Sequence, residues 1–138
     1  MKRMLVLLAC LLTACQPKMT EPVDIAVDDM CSFCRMAISE RRFAVEFWSR
    51  DATLFKFDDV ACMINHVKKG KGRQDILSCF VMDYEARRWL RAENAYYVRS
   101  AQIKTPMGGG IIAFADRSNA EAAASRYQVQ MLRFDELF

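Results

Sequence analysis

Two stretches of the chain carry the same succession of hydrophobic and polar positions. In the first, residues 43–48 (FAVEFW) and 53–57 (TLFKF) are β-prone runs joined by the polar turn SRDA, a pattern that predicts a hairpin. Asp58 and Asp59 then supply an N-cap for a helix over 60–69, with lysines in its last turn and Gly70 to stop it. The apolar run 76–82 (ILSCFVM) fits a buried strand. In the second stretch, 95–103 (AYYVRSAQI) and 110–115 (GIIAFA) form the hairpin across a longer loop, KTPMGG. Asp116, Ser118 or Asn119 can cap a helix over 120–127, and residues 131–134 close with a strand. The F-D-D of Phe57 and the F-A-D of Phe114 correspond at an offset of 57 residues. The expected fold is α+β, two packed ββαβ repeat units over residues 24–92 and 93–138. Each unit is too small to bury much apolar surface alone, so the two must pack together or share a sheet. The segments that break the symmetry, 29–36 and 103–110, are loops, where a rigid scaffold concentrates function.

The N-terminus, MKRMLVLLACLLTACQ, changes where the domain is expected to work. Lys2 and Arg3 precede eleven uncharged residues, 4–14, and Cys15 follows Leu12-Thr13-Ala14. Such a stretch is too short to cross roughly 30 Å of hydrocarbon and suits the h-region of a signal peptide. Its Leu-x-Ala-Cys ending resembles a bacterial lipobox, in which the cysteine is lipidated and becomes the new N-terminus. The plainer alternative is an ordinary cleaved signal with an incidental cysteine; Cys10, after Leu8-Ala9, would leave too short an h-region. Residues 1–14 are therefore expected to be a lipoprotein signal peptide and 15–23 a lipidated N-terminus and tether containing two prolines, with order beginning near Asp24. The protein is expected to sit in the cell envelope, held to the membrane by lipid at Cys15 and facing the periplasm or extracytoplasmic space. Gln16 after the cysteine leans towards the outer membrane in a Gram-negative source. Removing Lys2 and Arg3 lowers the net charge from +3 to +1, so nothing suggests nucleic acid. The one basic cluster, KKGKGR at 68–73, reads as a solvated helix end and loop.

If lipidation consumes Cys15, then Cys31, Cys34, Cys62 and Cys79 remain in a compartment that permits disulfides. The stretch DMCSFCRM, residues 29–36, holds the Cys-x-x-Cys pair. A Cys31–Cys34 disulfide closes a very small loop and so stabilises little. Structural zinc needs a second knuckle, whereas Cys62 and Cys79 have 16 residues between them and lie on a helix and in an apolar strand. Thiol-disulfide exchange wants the pair at a helix N-terminus, but RMAISERRFAVEF runs on into a β-prone segment. A soft-metal site is the third use, because thiolate and thioether ligands select Cu(I). On an extended backbone Cys34 and Met36 point their sulfurs to the same side. Met107 is the one methionine with no periodic pattern to bury it, between Pro106 and Gly108, although it could simply cover a hairpin tip. Cys62, Met63 and His66 form a helical cluster whose Cys62–His66 spacing can bind metal. Core packing explains Cys62 and Met63 as well, and His66 reads as a helix-surface residue held as a reserve ligand.

CSFCRM, FDDVACM, the AYYV strand, TPMGGG followed by AFAD, and the closing QMLRFDELF together resemble the nitrous oxide reductase accessory lipoproteins of the NosL type. The resemblance covers essentially the whole mature chain. It implies a lipid-anchored, non-enzymatic envelope protein of two ββαβ units that binds Cu(I) and passes it towards nitrous oxide reductase, with a membrane-bound assembly transporter as a further partner. It also implies Cys34 and Met107 as chief ligands with Met36 close by, leaving Cys31 as a secondary ligand or a disulfide partner. The chain is short for the family, and it has Arg35 where the family usually has glycine. A cation at Arg35 is expected to favour thiolate at Cys34 while repelling bound copper.

Overall fold

The computed structural model describes residues 18–138. The expected signal peptide and the expected lipidation site, Cys15, lie outside the described residues. Among the described residues the fold is α+β, with two antiparallel sheets and two α-helices. Strands β1 (Val45–Ser49) and β2 (Leu54–Phe57) form a hairpin in which Val45 faces Phe57. Helix α1 (Val60–Lys69) follows directly, and β3 (Ile76–Met82) returns beside β1. Strand β4 (Trp89–Arg91) completes the order β2-β1-β3-β4. In the second sheet, β5 (Tyr96–Arg99) pairs with β6 (Ile111–Phe114), helix α2 spans Arg117–Tyr127, and β7 (Met131–Leu132) pairs back on β5. Its order is β6-β5-β7, the same connectivity as β2-β1-β3.

The apolar face of α1 (Val60, Met63, Ile64 and Val67) packs with Val45, Phe47, Phe57, Cys79 and Val81, and this core continues into Tyr97, Ile111 and Ala113 of the second sheet. A smaller core gathers Val98, Ile112, Phe114, Ala120 and Ala124. Asp83 ties the sheets at their junction. It bridges to Ala113 in parallel, one carboxylate oxygen accepts the Ala115 N–H at 3.0 Å, and the other accepts from Glu85 and Ala86.

Several boundaries differ from the sequence pattern for identifiable reasons. Strand β4 is not predicted by the pattern, because the three residues WLR are too few to show alternation. Helix α2 starts at Arg117 and not at 120, since Asp116 caps it by accepting from the amides of Ser118 and Asn119. Strand β5 ends at Arg99 and not at 103, where Gly110, at φ 65°, packs so closely that a Cβ would overlap the Ser100 carbonyl. Strand β7 is only two residues long and gives way to a 3-10 turn at Phe134–Leu137.

The segment before the Cys-x-x-Cys pair is docked from Met19 onwards, earlier than Asp24. The Met19 carbonyl accepts the Ser78 hydroxyl on β3, and the Thr20 carbonyl accepts from Arg91 on β4 at 3.4 Å. The Val23 amide donates to Glu46 Oε1 on β1 at 2.6 Å. Lys56 on β2 donates to the Asp24 carbonyl at 2.9 Å and to the Asp29 carboxylate at 2.6 Å. This strap touches all four strands of the first sheet before it enters the loop at 29–36. Glu46 beneath it is fully buried, and its Oε2 finds no partner among the described residues. Burial pushes the Glu46 carboxyl up to about 7.

Candidate metal centre

The loop that carries the cysteine pair is closed by its own backbone. The Cys31 amide donates to the Met36 carbonyl at 2.8 Å, the Arg35 amide to the Cys31 carbonyl at 3.0 Å, and the Ile38 amide to the Asp29 carbonyl at 3.0 Å. It hangs from the edge of β2 through a reciprocal pair, Ser32 amide to Lys56 carbonyl at 2.7 Å and Lys56 amide to Ser32 Oγ at 3.1 Å. The tight turn puts Arg35 in the left-handed region at φ 66°, where a non-glycine residue is strained. The chain from Cys34 to Met36 is therefore not extended, and strand-like alternation does not govern where the two sulfurs point. Instead, Cys34 is half-buried while Met36 is 57 % exposed.

Two consecutive carboxylates at the β2–α1 junction organise what surrounds this loop. Asp59 Oδ1 accepts the Cys62 amide at 2.9 Å and so caps α1. Asp59 Oδ2 accepts the Thr105 hydroxyl at 2.9 Å and the Met107 amide at 3.0 Å. Thr105 Oγ1 in turn accepts from the Gly110 amide at 3.2 Å. The TPMGGG loop is thereby pinned onto the first turn of α1, and Gly109 sits so close to Ala61 that a Cβ would collide with it. Met107 emerges from this seat 44 % exposed. Asp58, the neighbouring carboxylate, accepts the Cys34 thiol on Oδ2 at 3.3 Å. Both loops thus converge on one strand-to-helix junction, the Cys34 loop through Asp58 and the Met107 loop through Asp59.

Behind the rim lies a group of donors that spacing did not bring together. The ligand atoms of Cys31, Cys34, Asp58 and Cys62 all lie within 4.8 Å of one another. Cys31, Cys62 and Asp58 are buried, and all four cysteines of the described residues are free thiols. Burial pushes the Cys34 thiol up to about 11, with a smaller opposing pull from a hydrogen bond to the Met36 backbone and further upward pushes from Cys31 and Asp58. Burial first, then Asp58, also raises Cys62. The expected thiolate-favouring effect of Arg35 is thus outweighed, and metal must displace a thiol proton to bind.

The other candidates separate cleanly. Met63 is 1 % exposed and serves the core. His66 lies against the rings of Phe55 at 4.6 Å and Phe57 at 5.2 Å, outside the donor group. Burial, then the charge of Arg35, lowers its pKa. Cys79 faces the core from β3 beside Phe47. In the sequence Asp58 and Asp59 read only as the N-cap of α1, and Cys62 reads as a partner of His66. A signal was available in the doubled acid of FDDVACM, since one cap needs only one carboxylate.

The NosL family model matches residues 22–138. Among solved structures, the chain is similar to the crystal structure of the copper chaperone NosL from Shewanella denitrificans, at 20 % identity and a TM-score of 0.75, over 85 % of this chain and 95 % of that one. At that identity the likeness speaks for the fold. No curated protein matches the chain.

Proposed function

The chain belongs to the NosL family, and from that premise we propose that it is an envelope-anchored Cu(I) metallochaperone that binds and hands over copper without catalysing a reaction. Copper is its cargo, held by the thiol of Cys34 and the thioethers of Met107 and Met36. The observation that carries this reading is the paired carboxylate junction, where Asp58 holds the Cys34 loop and Asp59 holds the Met107 loop. The donor chemistry fits a soft monovalent ion, because one thiolate neutralises Cu(I) and neutral thioethers add no charge. Exposure of both methionines leaves the ion open to attack by an incoming ligand, and a thioether leaves readily. The named relative is itself a copper chaperone, which supports the same role here. In this reading Cys15 carries the lipid, the domain faces the periplasm or extracytoplasmic space, and the client is a copper enzyme, nitrous oxide reductase, with a membrane-bound assembly transporter beside it.

A thiol-disulfide exchange role is less well supported. The Cys34 thiol is pushed up and not down, and the pair sits in a turn with no helix starting at it. The copper reading is tested by competing reduced protein against a chromophoric Cu(I) chelator. Wild type should bind near-stoichiometrically, and Cys34→Ser and Met107→Leu should each weaken binding at least tenfold, about 1.4 kcal/mol. Wild-type affinity in both variants refutes the assignment.

A further inference from the structure

Apart from the exposed methionines, four clustered donors are available for a second coordination set. We propose that Cys31, Cys34, Cys62 and Asp58 form a tetrahedral site for a borderline divalent ion, Zn(II), distinct from the thioether site and sharing with it only Cys34. Four donor atoms within 4.8 Å of one another need to contract by only about 1 Å, since Zn–S bonds of roughly 2.3 Å set tetrahedral ligands about 3.7 Å apart. The independent sign that a cation belongs here is Asp58 itself. The residue is 3 % exposed, one oxygen accepts the Cys34 thiol, and Oδ1 has no hydrogen-bond partner among the described residues. A buried carboxylate oxygen left without a partner is costly, and a metal bond is one way to satisfy it.

The donor set decides the ion. A carboxylate oxygen is a poor ligand for Cu(I), whereas three sulfurs and one oxygen in closed tetrahedral array suit Zn(II), which has no geometric preference of its own to oppose them. On binding, the three S–H bonds break, three Zn–S bonds and one Zn–O bond form, and the protons leave to solvent. No redox change occurs. The backbone already holds the set together from three directions: the Cys31–Met36 turn, the β2–α1 junction and the first turn of α1. Because Cys34 belongs to both sites, the two metals exclude each other. That exclusion rests on the copper reading above, while the zinc site does not. A zinc-loaded chain would keep its thiols protected from oxidation and release Zn(II) as Cu(I) captures Cys34.

The test uses reduced full-length protein with Co(II) and Zn(II) salts. Co(II) should give thiolate-to-cobalt charge-transfer bands and the intense visible absorption of a tetrahedral site, and Zn(II) should bleach both. Cys62→Ser and Asp58→Asn should each lower Zn(II) affinity at least tenfold, while Met107→Leu and Met36→Leu leave it unchanged. Asp58→Asn keeps the side-chain shape, so its result stands even if Cys62→Ser folds poorly. Absence of a tetrahedral cobalt spectrum in wild type, or wild-type zinc affinity in Asp58→Asn, overturns the proposal. Cu(I) affinity that survives Met107→Leu would instead count against the thioether site and leave the zinc site standing.

Discussion

Single residues in this protein are committed to more than one neighbour, and Asp59 shows it most sharply. Its two oxygens serve different loops, so an isosteric change can split the roles. In Asp59→Asn the side-chain oxygen can still cap Cys62, but the amide nitrogen then faces the Met107 N–H, donor against donor. The variant should keep its helix content, lose about 1–3 kcal/mol of stability, and bind Cu(I) more weakly, as read by circular dichroism, denaturant unfolding and chelator competition. Glu46 makes a different commitment. Its carboxyl is raised to about 7 from 4.5, so the folded state binds a proton that the unfolded chain has already lost. Its stabilising effect is therefore complete below about pH 4.5 and disappears as pH rises through about 7. Wild-type denaturant midpoints should fall between pH 5 and pH 8 by an amount on the order of 2 kcal/mol in stability, and Glu46→Gln should flatten that slope. Neither residue advertised its role in the sequence. Asp59 was visible as a cap because capping is local, but its grip on Met107 spans 48 residues. Glu46 sits in an alternating strand where a charged position reads as solvent-facing, and only the strap above it reverses that.

At the scale of elements, legibility followed how much of each boundary was set locally. Helix α1 was placed at both ends because an acidic cap and a glycine stop flank its apolar face. Strand β3 was equally plain as a continuous apolar run. Strand β4 exists only because β3 offers it an edge, a nonlocal cause with no signature of its own. The loop at 103–110 stands out in the sequence because it breaks the repeat symmetry, yet its seat could not be seen. Gly109 is where that seat is tested. Gly109→Ala would drive a methyl group into Ala61, lifting the loop from α1 at a cost of about 1–3 kcal/mol. Cu(I) affinity should drop with it while Zn(II) binding at the inner cysteines persists. Equal Cu(I) affinity in variant and wild type would show that the seat does not position Met107. Arg35 records the opposite case, a residue tolerated at φ 66° because hydrogen bonds from Cys31 and Arg35 amides close the turn around it.

At the scale of the molecule, the first sheet has helix α1 on one face and the strap on the other. A chain beginning at Asp24 would lose the contacts to Ser78, Arg91 and the Val23 bond to Glu46, while keeping those of Lys56. Compared with one beginning at Gln16, its unfolding should need less denaturant, by about 2–3 kcal/mol at roughly 1 kcal/mol per bond. An unchanged midpoint would mean the strap merely rests there. The pairing of Cys34 with Met107 came from the family resemblance, whereas the α+β class was readable because it follows from patterning. The donor group of Cys31, Cys34, Asp58 and Cys62 was not, because it depends on how a turn, a strand end and a helix start meet in space. That meeting point has a thermodynamic consequence. One carboxylate closes the first turn of α1 through one oxygen and fastens the Met107 loop through the other, so only loss of the whole side chain releases both at once. Asp59→Ala should therefore cost the helix cap and the Met107 seat in a single step, a double loss that Asp59→Asn divides.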